Sequence, residues 1–158
     1  MVEIERIQPG HAYYEGECRL REEVLLAGAG YTFESFVKYY PHEDQAEHFV
    51  AVIDHPTSGK AVIGCALLRP NDPEEGVGKV TQVAVHPQRQ GEGIGLKLMT
   101  AIEARAFGEL GHRELYCHAQ NTAVEFYKKL GWGVASEEFM EAGIPHHKMA
   151  IRSGEPRE

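Results

Sequence analysis

Three glycines spaced by single residues, Gly91, Gly93 and Gly95, stand between a β-branched run and an apolar, helix-like run in VAVHPQRQGEGIGLKLM, Val83 to Met99. A strand that runs into a glycine-rich turn and then opens a helix aims several main-chain N–H groups at one point, with the helix dipole behind them. That is phosphate-binding geometry. Glycine here keeps side chains clear of a pyrophosphate approaching the backbone, and Arg89 adds a charge-assisted contact. A tight strand-to-helix connection with no ligand would also favour glycine. A Walker loop needs Gly-Lys-Ser/Thr, and Gly95 is followed by Leu96 and Lys97, so that loop is excluded. A dinucleotide fingerprint needs GxGxxG, whereas GEGIG has GxGxG spacing and follows a run of hairpin-like strands.

Histidine is the second chemical resource. His48, His118 and His147 carry imidazoles that titrate near neutral pH and suit a base, although each reads equally as structural or exposed. Gln82 is uncharged and can only position water, and His86 borders the glycine loop. Glu138, Glu141, His146 and His147 hold metal-donor atoms without a closed ligand pattern, so no metal is expected. Cys117 lies in an apolar strand and reads as a buried, inert thiol.

The elements that must position these residues follow from periodicity. VEIERIQ reads as a strand closed by Pro9-Gly10, ECRLREEVLL as a helix, and FESFVKYY as a second helix ending before Pro41. HFVAVID and AVIGCALL are strands joined by HPTSGK, and GKVTQVAVH is the strand leading to the glycines. Leu98, Ile102 and Ala106 recur every four residues after Ile94, an amphipathic helix. RELYCHA is a strand, and Ala123, Phe126, Tyr127 and Leu130 mark a helix that Gly131 caps. WGVAS and HKMAIR close the chain as strands around the turn EAGIPH. The order β-α-α-β-β-β-α-β-α-β-β predicts an α/β (α+β) fold, a mixed sheet of about seven strands flanked by about four helices.

The chain has 158 residues, 42% hydrophobic and 25% charged, the profile of an ordinary globular domain. One domain over 1–158 is expected, with 153–158 as a flexible tail. The net charge of −8 and the lack of a Lys/Arg cluster argue against nucleic acid. Three cysteines without CxxC spacing, no signal-like start and no apolar run near the roughly 20 residues that span a bilayer predict reduced thiols and a cytoplasmic protein.

VAVHPQRQGEGIGLKLM resembles motif A of the Gcn5-related N-acetyltransferases (GNAT), whose pyrophosphate loop reads Gln/Arg-x-x-Gly-x-Gly/Ala, here Gln90, Gly93 and Gly95. AQNTAVEFYKKLGW is similar to the family's second block, Asn-x-x-Ala-x-x-Leu/Phe-Tyr-x-Lys-Leu-Gly, with Tyr127 in the tyrosine place and Gln120 where Asn is usual. Together with EEFMEAGIPHHKM and PHEDQAEHFVAV, these blocks resemble the branch typified by ElaA- and YjcF-like proteins, over Pro41 to Ile151. VLLAGAGYTFESF departs from that branch in the segment that shapes the acceptor pocket.

The resemblance implies a mainly antiparallel sheet and an N-acetyltransferase using acetyl-CoA as co-substrate, with direct attack by a primary amine in a ternary complex. It implies that the main chain of Val83, Ala84 and Val85 pairs with pantetheine and that an N–H there polarises the thioester oxygen. Arg89, Gln90, Gly91, Glu92, Gly93, Ile94, Gly95, Leu96, Gln120 and Tyr127 line the cofactor. Tyr127 is the implied general acid, since a phenol with reference pKa near 10 can protonate a departing thiolate; by spacing alone it reads as a core aromatic. His48, Gln82, His118 and His147 are the candidate acceptor-side residues. The expected partner is a small-molecule or peptide amine, without nucleic acid or membrane; a homodimer is one option for an assembly that the sequence does not fix. An acyl-CoA-binding sensor with little catalysis is the alternative.

Overall fold

The computed structural model describes residues 1–154. Eight strands and four α-helices alternate along it: β1 (Glu3–Ile7), α1 (Tyr14–Arg21), α2 (Phe33–Tyr39), β2 (Glu47–His55), β3 (Gly59–Arg69), β4 (Val77–Val85), α3 (Ile94–Glu103), β5 (Glu114–Gln120), α4 (Val124–Lys129), β6 (Gly133–Val134), β7 (Phe139–Glu141) and β8 (Ile144–Arg152). The sheet order is β1-β2-β3-β4-β5-β8-β6, with β7 paired to β8. β4 and β5 run parallel, and β1–β2, β2–β3, β5–β8, β6–β8 and β7–β8 are antiparallel. This is the expected mixed, mainly antiparallel α/β fold.

The chain divides into two compact units, each discontinuous in sequence: Met1–Arg69 with Gln82–Ile102, and Pro70–Thr81 with the chain from Glu103 onward. In the first, β2 and β3 form a long hairpin from Glu47↔Leu68 to His55↔Gly59, and β1 adds to β2. Ile7, Leu20, Val50, Val52, Cys65 and Ala84 make a buried cluster under α1. α2 starts on a reciprocal cap, the Ser35 N–H donating to Thr32 Oγ1 and the Thr32 N–H to Ser35 Oγ, both at 3.0 Å. Gly64 sits where α3 crosses the sheet: a Cβ there would lie 2.9 Å from Ile94 Cγ2 and 3.2 Å from Leu98 Cδ1. Glycine therefore sets how closely the helix behind the glycine loop seats on β3.

In the second unit, β5 pairs with β8 from Glu114↔Arg152 to Gln120↔His146, burying Leu115, Cys117, Met149 and Ile151. α4 ends as its sequence predicts: Gly131 has φ +93° and its N–H reaches Lys128 O at 3.0 Å, while the Trp132 N–H reaches Tyr127 O at 3.0 Å. Trp132 is then buried and donates its indole N–H to Glu103 Oε2 at 3.2 Å.

Two expectations about elements change. The C-terminal turn is narrower than EAGIPH: Ala142 and Gly143 alone turn the chain, with φ +52° and +75°, so FME becomes an eighth strand. Three residues, with Phe139 half-buried and Met140 and Glu141 exposed, are too few to show an apolar alternation. WGVAS contributes only the two-residue β6. Of the expected tail, Ser153 is tied down by an N–H bond to Arg113 O at 3.0 Å, and 155–158 lie outside the described residues. No helix among the described residues is long and apolar enough to cross a membrane.

Candidate functional site

The glycine loop takes the conformation that its residues require. β4 ends at Val85, His86 anchors to β3 through its N–H to Ile63 O at 2.8 Å, and one tight helical turn, Pro87–Arg89, comes next. Gln90 folds back to donate to Val85 O at 3.3 Å. Gly91 and Gly93 have φ +85° and +82°, where a side chain costs about 1–2 kcal/mol. An added Cβ at either would meet nothing within 4 Å. Glycine is thus fixed there by backbone conformation, and the space over it is open. Gly95 lies inside α3, whose first bond is the Lys97 N–H to Gly93 O at 3.1 Å. Ile94 is buried and Leu96 exposed. The N–H groups of Ile94, Gly95 and Leu96 precede that bond and have no acceptor within the helix. Arg89 is held by Glu92 at 3.3 Å, so an arriving phosphate competes with a carboxylate for it.

Behind β4 lies a buried ionic cluster. Arg21 is fully buried on α1; its Nη1 donates to Glu17 Oε2 at 2.9 Å and Glu43 Oε1 at 2.8 Å, and its Nη2 to Glu43 Oε2 at 2.7 Å. His48, also fully buried, places Nδ1 2.7 Å from Glu17 Oε2 and Nε2 3.0 Å from the Glu43 carbonyl oxygen. Both partners are acceptors, so both ring nitrogens carry protons and His48 is an imidazolium. Burial opposes that charge, but the hydrogen bond and charge of Glu17, reinforced by Glu43, outweigh it and raise the His48 pKa. Burial likewise pushes the Glu43 carboxyl up, and the Arg21 guanidinium reverses this and holds it below its usual range. Two carboxylates face two cations. The Tyr14 hydroxyl completes the set by donating to Glu43 Oε1 at 2.6 Å. Glu17, Glu43 and His48 offer ligand atoms within 4.8 Å of one another, but Arg21 already supplies the cation between the two carboxylates.

His48 consequently does not serve an acceptor: no part of it is exposed and both nitrogens are engaged. Its raised pKa gives a pH signature. Its contribution to stability is full below the free imidazole value of about 6.5 and fades as pH rises through the raised folded-state value. His48→Gln is expected to flatten the fall of the urea midpoint above neutral pH; an unchanged slope would mean that the imidazole is neutral in the fold.

Gln82 closes this cluster from β4. It has φ +51°, a left-handed turn inside a strand, which costs a non-glycine residue on the order of 1 kcal/mol. Arg21 Nε donates to its Oε1 at 3.1 Å, and the Cys65 thiol to its carbonyl oxygen at 3.4 Å.

In the second unit, Tyr127 is 5% exposed and packs on Trp132 with ring centroids 5.3 Å apart. Burial first, then the neighbouring Cys117 thiol, raises its pKa well above that of a free phenol. Cys117 is pushed up to about 12 by burial, which removes it as a nucleophile. His118 comes after Cys117 on β5 and so leaves the opposite face. Its Nδ1 lies 3.0 Å from Glu141 Oε1, leaving Nε2 as the lone-pair nitrogen when the ring is neutral. His147 Nδ1 meets Asn121 Oδ1 at 2.7 Å, and Asn121 donates to Glu138 Oε1 at 2.7 Å. His146 donates to Ile144 O at 2.7 Å and stacks on Phe139. Gln120 is exposed at the end of β5.

Residues 23–153 match the family described as "Acetyltransferase (GNAT) domain". The chain belongs to the GNAT acetyltransferases. An "Uncharacterized N-acetyltransferase YjcF" from Bacillus subtilis (strain 168) is 34% identical over 131 residues, 82% of this chain and 86% of that one. Escherichia coli ElaA shares the GNAT fold at TM-score 0.75 and 19% identity, over 95% of this chain and 99% of its own. An aminoglycoside 6'-N-acetyltransferase solved with coenzyme A shares it at TM-score 0.75 and 15% identity, over 99% of each chain. As a GNAT member the protein is an acyltransferase.

The GNAT motifs marked β4, the glycine loop and α4, but not the Glu17–Arg21–Glu43 cluster. Glu17, Leu20, Arg21 and Val24 fall at i, i+3, i+4 and i+7 on α1 and the turn that continues it. That spacing was the available signal: two opposite charges lie on the stripe that also carries the apolar residues.

Proposed function

We propose that this GNAT member transfers an acetyl group from acetyl-CoA to a primary amine by direct attack. The observation that carries the reading is the loop at Gly91–Gly95, two left-handed glycines ahead of α3 with open space above them. A pyrophosphate would accept from the N–H groups of Ile94, Gly95 and Leu96, with Gln90 and Arg89 at its edge and Glu92 displaced from Arg89. Main-chain groups of Val83, Ala84 and Val85 would pair with pantetheine, and one N–H would polarise the thioester oxygen.

The chemistry then needs a base and an acid. The amine nitrogen attacks the thioester carbon, the C–S bond breaks, and the amine loses one proton. Tyr127 would give its proton to the thiolate, a role supported by a phenol kept neutral by burial. His118 Nε2 would take the proton from nitrogen, supported by the Glu141 carboxylate that orients the ring through Nδ1. Gln120 and His147 stand at the end of the β5–β8 strand pair as further candidate contacts. The partner is an amine, small-molecule or peptidic, and the whole chain acts as one catalytic domain.

Calorimetry with acetyl-CoA, using NAD and ATP as controls, tests the donor. Saturable binding selective for acetyl-CoA is expected, and at ligand near 100 times Kd it should add about 2.7 kcal/mol of stability. Absence of binding at millimolar acetyl-CoA would remove the reading. Binding with no acetylation of any amine would leave an acyl-CoA sensor.

A further inference from the structure

We propose that Arg21 is a positioning residue for the donor strand: it pins Gln82 in its left-handed turn and thereby fixes the main chain of Val83–Val85. Every contact of this clamp is a direct hydrogen bond. Glu17 and Glu43 take the Nη atoms of a fully buried guanidinium, which fixes its plane and leaves Nε to donate to Gln82 Oε1 at 3.1 Å. The Cys65 thiol holds the Gln82 carbonyl at 3.4 Å, so side chain and main chain of one residue are anchored separately. Arginine has only donors, so the glutamine must turn its oxygen inward.

The left-handed turn sets the path of the next three residues. Gln82 interrupts the extended run, Ala84 is buried in the core under α1, and Val83 and Val85 flank it with half-exposed side chains. A residue in a sparsely populated conformation persists only when its surroundings over-determine it. Arg21 does so through the side chain and Cys65 through the carbonyl, and the Glu17 and Glu43 carboxylates hold Arg21 in place. The catalytic consequence rests on the acetyl-CoA reading; the clamp does not.

Two variants separate the clamp from general stability. Gln82→Met removes the acceptor and leaves every Arg21–carboxylate bond intact, whereas Arg21→Lys keeps a cation but loses Nε. Amide hydrogen exchange at Val83–Val85 is expected to quicken about tenfold in each, the size of one hydrogen bond to a charged group. The double variant is expected to exchange no faster there than the faster single one, the non-additivity of a shared contact. The KM for acetyl-CoA should rise about tenfold with Gln82→Met, with kcat changed less. Unchanged exchange at Val83–Val85 in Gln82→Met would overturn the clamp, whatever happens to turnover. Quickened exchange in a protein whose wild type fails to bind acetyl-CoA would uphold the clamp and overturn only the donor assignment.

Discussion

Tyr127→Phe is expected to lower kcat by about 100-fold or more, the usual worth of a positioned acid, while acetyl-CoA binds as before. Phenylalanine keeps the ring that packs on Trp132 at 5.3 Å and on Phe126 at 5.0 Å. Only the hydroxyl and its contact with the Cys117 thiol are lost, which costs the fold about 1 kcal/mol. Because burial raises the tyrosine pKa, the wild-type enzyme keeps this proton across the whole working range, and Tyr127 contributes no alkaline limb to the pH profile. Loss of kcat with acetyl-CoA binding kept is likewise expected for His118→Asn. Wild-type turnover in Tyr127→Phe would reduce that residue to a core aromatic and leave the thiolate to be protonated by water.

The largest stability effect is expected from Arg21→Met. Removing the guanidinium leaves the Glu17 and Glu43 carboxylates opposed by the single imidazolium of His48, in a site where Arg21, Glu17 and His48 have no exposure. Breaking a buried pair in this way costs about 3–5 kcal/mol, because the remaining charge is uncompensated. For a chain of 158 residues that corresponds to a fall in Tm of about 10 °C. Glu17 sharpens the expectation: its Oε1 is already buried without a partner, so it has no spare solvation to draw on. Equilibrium unfolding of the variant at pH 6, where His48 stays charged, measures the loss. A change under about 1 kcal/mol would mean that water reaches the carboxylates and that the cluster is far softer than its distances suggest.

The strands and the glycine loop were legible because their signals are local. The β-branched run before Gly91, the spacing of Gly91 and Gly93, and the cap at Gly131 each state a backbone requirement that the structure meets at those residues. β7 was hidden because Phe139–Glu141 pairs at an edge, and its hairpin turns on an alanine with positive φ that no composition rule marks. The buried cluster was hidden for a different reason. Glu17 and Arg21 look like a solvated ion pair on a helix surface until Glu43 and His48, distant in sequence, close over them. His48 was legible as a titratable group but not as an occupied one. Only the tertiary partners show that both of its nitrogens are taken.

β4 belongs to both compact units, changing from one to the other between Thr81 and Gln82, and the chain passes between units again after Arg69 and after Ile102. Neither unit is therefore encoded by one continuous segment. A cut at any peptide bond between Pro70 and Ile102 would leave both fragments with pieces of both units and the whole of neither, so halves split there for a complementation reporter should be inert until they meet.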